Sequence, residues 1–167
     1  MILEPFLPAD LDALPELRPE GWGPLGPAYD YYLHHDNCRP VKVMAEGRVA
    51  GVACAIRFGG SGWLAEIVVA SDLRCRGIGS FMVTELAAWL RAQVPVITLI
   101  ATDLGFPVYE KAGFTLQSEY LFCEREEALP ALPLPEQVTP ATAADLPAIL
   151  ALDRLATGEE RSAMLGE

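Results

Sequence analysis

The eight residues from Leu73 to Ser80, LRCRGIGS, constrain the fold of this chain more than any other stretch. The segment before them, residues 63–70, is largely apolar, as expected of a buried strand. The segment after them, residues 81–91, carries apolar side chains at helical spacing. Glycines in such a turn let the backbone approach a ligand closely, and the first N–H groups of the helix point at an anion. The stretch therefore predicts a site for a phosphate group.

Two common phosphate motifs do not fit this turn. A dinucleotide fingerprint needs a third glycine at position 82, where this chain has Met82. A P-loop needs the sequence Gly-Lys-Ser/Thr, which occurs nowhere in the chain. What remains is the pattern R-x-x-G-x-G, formed by Arg74, Gly77 and Gly79.

The composition of the chain narrows its class. Its 167 residues, 51% hydrophobic and 21% charged, suit one soluble globular domain, alone or with an appendage. No apolar run reaches the roughly 18 residues of a membrane span, and the N-terminus lacks a secretory signal pattern. A net charge of −11 weighs against nucleic acid as a partner. The four cysteines form no C-x-x-C pair, which argues against zinc and disulfides and for the cytoplasm.

The order of strand and helix patterns predicts the fold class. Strands are predicted at residues 2–6, 41–45, 49–58, 63–69, 96–101 and 115–124, and helices at 10–17, 29–35, 81–91 and 106–112. Asp10 is the expected N-cap of the first helix, and the apolar run 96–101 is typical of a central strand. The prediction is an α/β (α+β) fold with a mixed, mostly antiparallel twisted sheet flanked by helices.

The last part of the chain differs from the rest and contains a partial repeat. Residues 129–135 alternate proline with leucine and alanine like a linker. Beyond it, residues 144–152 (ADLPAILAL) match residues 9–17 (ADLDALPEL) at five of nine positions. Chance similarity of two Asp-capped amphipathic helices is one interpretation. The other divides the chain into a domain at 1–125, a linker at 126–135 and, at 136–167, the first strand and helix of a second copy.

The context of the phosphate turn resembles the GNAT family of N-acetyltransferases. Residues Val68–Gly79 resemble the acetyl-CoA motif of that family, Q/R-x-x-G-x-G/A between a strand and a helix. Residues Ala101–Phe114 are similar to its Y-E-K-x-G-F segment. The resemblance covers about residues 1–125. It implies a GNAT-like acyl-CoA fold that uses acetyl-CoA as co-substrate and no metal.

The resemblance also implies a set of cofactor-binding residues. The backbone N–H groups of Arg76 to Ser80 would bind the CoA pyrophosphate, and the backbone of Ile67, Val68 and Val69 would bind the pantetheine arm. An alternative for Arg74 or Arg76 is a solvated ion pair with Asp72. Asp103 stands where the family often has asparagine. The predicted cofactor-binding residues are Ile67, Val68, Val69, Arg74, Cys75, Arg76, Gly77, Ile78, Gly79, Ser80, Asp103 and Tyr109.

Acetyl transfer to an amine needs a base and an acid. Only about one lysine-like amine in a thousand is neutral at pH 7. Glu66 is the candidate base, since strand alternation puts it on one face with Val68; the alternative is a solvated strand residue. By resemblance Tyr109 is the acid that protonates the CoA thiolate, the alternative being a core tyrosine. A backbone N–H near Val69 would stabilise the oxyanion.

The predicted function is therefore an N-acetyltransferase that moves an acetyl group to a primary amine of a small molecule or peptide by direct attack. The alternative is a non-catalytic, regulatory CoA-binding module of a tandem-GNAT protein. The expected partners are acetyl-CoA and an unidentified amine, with no nucleic acid and no membrane, and a homodimer is left open. Nothing in the sequence names the acceptor.

Overall fold

The computed structural model describes residues 1–121, 123, 135 and 138–166. The chain divides into two compact units, Met1–Phe114 and Thr115–Glu167. Every buried hydrophobic side chain among the described residues lies in the first unit. The first unit therefore contains the hydrophobic core that positions a site.

The first unit is built around a five-stranded sheet. Its strands are β1 (Leu3–Pro5), β2 (Cys38–Ala45), β3 (Arg48–Phe58), β4 (Ser61–Val69) and β5 (Val96–Thr98). Its helices are α1 (Leu14–Leu17), α2 (Gly26–Leu33), α3 (Ile78–Arg91) and α4 (Phe106–Lys111), with a 3-10 helix at Pro8–Ala13. Neighbours follow chain order; β4 and β5 are parallel, and the other pairs are antiparallel. The predicted fold class is confirmed.

The hairpin between β2 and β3 shows how local sequence sets the register. Ala45 pairs with Arg48, so the turn contains only Glu46 and Gly47. Both have positive φ, +53° and +76°. Positive φ at both central residues defines the type I′ turn, whose twist matches that of paired strands. The Glu-Gly sequence thus closes the hairpin that the alternating pattern predicted.

Helices cover both faces of the sheet. Gly51 on β3 faces Ile78 and Met82 of α3, and its register partner on β2 is Val43. The preceding residue on β2, Lys42, points to the opposite face, because side chains alternate along a strand. There its ammonium group lies 2.6 Å from the carboxylate of Asp10, beside the N-terminal helices.

Helix α3 buries one continuous apolar face, as its spacing predicted. The buried side chains recur at intervals of three, four and seven residues, the period of an amphipathic helix. They are Ile78, Met82, Val83, Leu86, Ala87 and Leu90. This packing fixes the axis of α3, and with it the direction in which its first turn points.

Three expectations about local structure were wrong. Asp10 is not the N-cap of an α-helix: it lies within the 3-10 helix, where its carboxylate accepts the Leu7 N–H at 2.7 Å and pairs with Lys42. The strand predicted at 96–101 is the shorter β5, which lies at the edge of the described sheet, next to β4 alone. Residues 115–121 form no strand, and positions 122 and 124 of that prediction lie outside the described residues.

The described part of the second unit is helical. A 3-10 helix at Ala143–Asp145 leads into α5 (Leu146–Thr157), and α6 (Ser162–Leu165) follows. Along α5 the side chains of Leu152 and Leu155 are 66% and 84% exposed. Across the described residues of both units, no helix is long and apolar enough to cross a membrane.

Candidate functional site

The turn between β4 and α3 presents free backbone donors. Gly77 is the N-cap of α3 and has a φ of +82°, a left-handed conformation that favours glycine. The first intrahelical bond runs from the Phe81 N–H to the Gly77 carbonyl. The N–H groups of Ile78, Gly79 and Ser80 precede that bond, and no side chain caps the helix. These donors and the helix dipole together favour an anion at this end of α3.

Cys75 adds a second left-handed position to the same turn. Its φ is +61°, and its side chain is exposed. Two left-handed residues, Cys75 and Gly77, flank Arg76, and backbone bends of this kind gather N–H groups into an anion-binding concavity. The backbone of this turn is thus shaped for the phosphate predicted from the sequence.

The arginines of the turn do not pair with the carboxylate of Asp72. That carboxylate pairs instead with Arg48 at the start of β3. Arg76 lies 2.7 Å from the Glu46 carboxylate in the β2–β3 turn. Arg74 donates its Nε–H to the Val69 carbonyl at 3.2 Å, so its guanidinium group stays beside the end of β4. The β2–β3 hairpin therefore helps to hold the phosphate turn.

One edge of β4 is open where it approaches this turn. Strand β5 pairs only with Ser61, Gly62 and Trp63 at the start of β4. From residue 64 to Val69, the described residues place no strand on that side of β4. An unpaired edge offers N–H and C=O groups to an extended ligand. The predicted residues Ile67, Val68 and Val69 all lie on this open stretch.

A β-bulge interrupts β4 at Glu66. Val52 pairs with Val68 and Cys54 with Ala65, so Ala53 on β3 faces two residues of β4. Glu66 has a φ of +49°, which is unusual for a residue with a Cβ. A bulge bends the strand and re-aims side chains, and such features occur next to active sites. The strict alternation assumed for Glu66 therefore does not hold along β4.

The Glu66 carboxyl group is partly shielded from water. Its Oε2 atom is buried and has no hydrogen-bond partner among the described residues. This desolvation raises the pKa of Glu66 above that of an ordinary carboxyl. A carboxylate with a raised pKa is a better proton acceptor than an exposed one, which suits a general base.

Helix α2 covers the bulge with two buried tyrosines. Tyr29 donates its hydroxyl to the Glu66 backbone carbonyl at 3.1 Å. Burial raises the pKa of Tyr29, Tyr32 and the neighbouring Cys54 thiol, so all three stay neutral at physiological pH. Glu66 is the ionisable carboxyl of this cluster. Sequence periodicity put Tyr29 and Tyr32 on one face, but it did not reveal the bond to Glu66.

Tyr109 is held by the C-terminal end of α4. The N–H of Phe114 bonds to the Tyr109 carbonyl and that of Gly113 to the Glu110 carbonyl, each at 3.0 Å. This pair of bonds is the Schellman motif, in which an apolar contact commonly joins the same two residues. Here the Tyr109 and Phe114 rings meet edge to face, with centroids 6.2 Å apart. The Y-E-K-x-G-F segment is thus a helix cap that orients a tyrosine.

Gly105 makes room for the Tyr109 ring. A Cβ at Gly105 would lie 2.9 Å from Cε2 of that ring, closer than real contacts allow. The ring is half-buried, and desolvation raises the pKa of Tyr109, so its hydroxyl keeps its proton at physiological pH. Asp103 is exposed; its neighbour Thr102 provides the carbonyl that accepts the first N–H groups of α4.

The predicted site residues thus form two groups. One is continuous: the open edge of β4 leads directly into the phosphate turn, where Arg74 bonds to Val69 and a Cβ at Gly79 would touch Val69 at 3.7 Å. The other is Tyr109, supported by α4.

A polar cleft of about 300 Å³ adjoins the turn. It is lined by Glu16, Leu17, Arg18, Pro19, Glu20, Ser71 and Arg74.

Comparison with solved structures finds the same fold. An acetyltransferase from Trypanosoma brucei is 19% identical, with a TM-score of 0.60 over 74% of this chain and 99% of that one. Glucosamine-6-phosphate N-acetyltransferase from Arabidopsis thaliana is 16% identical, with a TM-score of 0.59 over 74% and 97%. A predicted acetyltransferase from Clostridium acetobutylicum, solved with acetyl-CoA, is 20% identical, with a TM-score of 0.60 over 74% and 95%.

Comparison at the level of sequence identifies the family. No curated protein matches the chain. A family model does match, that of the Acetyltransferase (GNAT) family, over residues 4–114. This match spans more than half of the chain and includes the open edge of β4, the phosphate turn and Tyr109. The chain belongs to the GNAT family of acetyltransferases.

Proposed function

We propose that this protein transfers the acetyl group of acetyl-CoA to a primary amine by direct attack of the amine on the thioester. The observation that carries the proposal is the open edge of β4, which ends at the uncapped N-terminus of α3. An extended arm bearing a pyrophosphate suits both features at once. The C. acetobutylicum neighbour, solved with acetyl-CoA, supports this cofactor.

In this proposal the backbone binds most of the cofactor. The N–H groups of residues 76–80 receive the pyrophosphate, and each charge-assisted bond contributes about 1.5–3 kcal/mol. Residues 67–69 pair with the pantetheine arm as an added strand would, through groups other than the Val69 carbonyl, which accepts the Arg74 Nε–H. The guanidinium group of Arg74 adds positive charge beside the phosphates. The thioester then lies towards the bulge at Glu66.

Glu66 takes the proton that the amine must lose. A lysine-like amine is almost fully protonated at pH 7, so it needs a base before it can attack. The half-buried carboxylate of Glu66 accepts that proton directly or through one water. The neutral amine forms a C–N bond to the thioester carbon, and the resulting oxyanion is stabilised by a backbone N–H near Val69.

Tyr109 supplies a proton to the leaving group. When the tetrahedral intermediate collapses, the C–S bond breaks and its electron pair goes to sulfur. The Tyr109 hydroxyl, neutral because burial raises its pKa, protonates the thiolate. The proton that the attacking nitrogen still carries passes through water to the Tyr109 phenolate, which leaves a neutral amide and restores the acid. Its ring is oriented by the cap of α4, which suits a positioned acid.

The test combines binding with turnover. Calorimetry with CoA and acetyl-CoA measures cofactor binding, and release of free thiol measures transfer to a panel of amines: a lysine peptide, a polyamine and an amino sugar phosphate. Tyr109→Phe should lower kcat by about 100-fold or more, while CoA still binds as to the wild type. Tyr120→Phe is the matched control, since that side chain is 72% exposed in the second unit.

The outcomes separate the proposal from its alternatives. An unchanged rate in Tyr109→Phe removes Tyr109 from the mechanism. Tight binding of acetyl-CoA without transfer to any amine of the panel favours a non-catalytic CoA-binding module. Absence of any binding heat or thermal shift with acetyl-CoA refutes a cofactor role for the turn.

For the second unit, we propose that residues 136–167 are a partial repeat of the first unit; the described residues 138–166 contain helices and no strand, and positions 136, 137 and 167 lie outside the described residues. Support comes from the N-caps at Leu7 and Thr142, whose φ and ψ are −115°, 159° and −119°, 169°. In both, the backbone N–H donates to the aspartate three residues on, Asp10 at 2.7 Å and Asp145 at 2.8 Å. Because Asp145 belongs to the second unit and the hydrophobic core belongs to the first, Asp145→Ala should leave CoA affinity and the main thermal transition unchanged.

A further inference from the structure

Tyr29 links the helix α2 to the bulge in β4. Its side chain is fully buried, with 0% exposure. The hydroxyl reaches across 37 positions of sequence to donate to the backbone carbonyl of Glu66. A buried tyrosine normally finds a partner for its hydroxyl. Here the partner belongs to Glu66, whose φ of +49° is unusual for a strand residue with a Cβ.

The bulge needs such a partner for two reasons. First, the extra residue of a bulge falls out of the hydrogen-bonded ladder, so its backbone groups need other partners. Second, Glu66 has a φ of +49° and a Cβ, a conformation that persists only where its surroundings impose it. A donor fixed above the strand meets both needs.

The position of the Tyr29 hydroxyl is itself set by the core. The ring of Tyr29 packs against Phe6 with centroids 4.7 Å apart and against Tyr32 at 5.4 Å. The N–H of Tyr29 bonds to the Leu25 carbonyl in the first turn of α2. These contacts hold the Tyr29 ring in the core, so its hydroxyl offers the strand a donor at a defined position.

We propose that Tyr29 is a positioning residue, whose hydroxyl holds the bulge in β4 so that the Glu66 side chain and the open edge at residues 67–69 keep their places. The role of Glu66 in this inference rests on the proposed function. That Tyr29 holds the bulge does not rest on the proposed function, because this part concerns the backbone alone. Tyr29 acts through Glu66 and takes no proton itself.

The test compares Tyr29→Phe with Tyr32→Phe. Each variant keeps its ring and so its core packing, and each loses one hydroxyl from the same face of α2. Amide hydrogen exchange at residues 66–69 should speed up about tenfold in Tyr29→Phe, the ratio that corresponds to one hydrogen bond of about 1.4 kcal/mol. The dissociation constant for CoA should rise about three- to tenfold. Neither quantity should change in Tyr32→Phe.

A second readout follows the Glu66 carboxyl by NMR titration of its side-chain carbon. Glu66 is faced by Tyr29 and Tyr32 from α2 and by Cys54 from β3, all neutral in the range where a carboxyl titrates. If the bulge relaxes and water reaches the carboxyl, its pKa should fall towards the ordinary value in Tyr29→Phe alone. This signal would not respond to a general loss of stability.

The inference is overturned if Tyr29→Phe lowers only the melting temperature while exchange at residues 66–69, CoA affinity and the Glu66 titration all stay as in Tyr32→Phe. It is also overturned if both variants change these quantities equally. Should the wild type fail to bind CoA, the proposed function fails, yet the exchange and titration arms still decide whether Tyr29 holds the bulge.

Discussion

Replacement of Gly77 by alanine tests the backbone conformation of the phosphate turn without disturbing its packing. Gly77 has a φ of +82°, and a Cβ there would meet only Cε of Met1, at 3.9 Å. Alanine therefore fits the space. It does not fit the conformation, because a left-handed residue with a Cβ crowds the following carbonyl at a cost of about 1–2 kcal/mol. The chain can relieve this cost only by rotating the backbone at the start of α3.

Such a rotation should affect binding more than folding. We expect Gly77→Ala to lower the free energy of unfolding by about 1 kcal/mol, or the melting temperature by about 2–4 °C in a chain of this length. Rotation also turns the N–H groups of residues 78–80 away from the anion. Loss of one charge-assisted bond, about 1.5–3 kcal/mol, weakens CoA binding by about 10- to 150-fold. Calorimetry and thermal unfolding measure the two effects.

Gly21 provides the matched control. Its φ is +79°, and a Cβ there would meet nothing within 4 Å, so Gly21→Ala carries a similar conformational cost. That variant should lose similar stability and bind CoA as the wild type does. The reasoning is refuted if Gly77→Ala binds CoA with wild-type affinity, or if Gly21→Ala weakens binding to the same degree.

Three further predictions concern the supports of the site. Asp10→Ala leaves the Lys42 ammonium group unpaired at a place where both side chains are only 10–13% exposed. The free energy of unfolding should fall by about 3 kcal/mol, which lowers the melting temperature by about 6–12 °C. Desolvation raises the pKa of Glu66 in the folded protein. The free energy of unfolding should therefore fall as the pH rises from the ordinary carboxyl pKa through the raised one. Denaturant titrations at several pH values should show this decrease in the wild type and not in Glu66→Gln. Gly105→Ala would put a Cβ 2.9 Å from the Tyr109 ring, and should slow turnover by about tenfold or more while CoA affinity stays within about twofold.

Features that depend on neighbouring residues were predictable from the sequence. Glycines and arginines between an apolar strand and an amphipathic helix predicted the turn at Gly77, and the structure has a left-handed N-cap there. The sequence also predicted a helix at 106–112, and the structure has α4 there, ended by the Schellman bonds at Gly113. In both cases the determining geometry lies within one or two turns of chain, where the preferences of glycine for positive φ are a strong local signal.

Features that depend on distant residues were not predictable. The bulge at Glu66 follows from the register between β3 and β4, which shifts between Val52 and Cys54. An alternating pattern cannot reveal such a shift, because a one-residue insertion exchanges the faces of the strand without changing its composition. The run at 96–101 looked like a central strand for a similar reason: apolarity indicates burial, but not where pairing stops.

The open stretch of β4 lies between the left-handed positions of the strand and those of the turn that follows it. Glu66 bends the strand at one end, and Cys75 and Gly77 turn the chain at the other. Residues 67–69 between them extend for about 10 Å at the usual rise per residue. Strand β5 has three residues, which pair with Ser61, Gly62 and Trp63 of β4, so among the described residues no strand pairs with this side of β4 beyond residue 63. In the proposed function the gap is where the thioester meets Glu66, which makes the backbone of β4 a determinant of acetyl position. Acceptor preference can then vary through side chains around the gap, while the cofactor site stays unchanged.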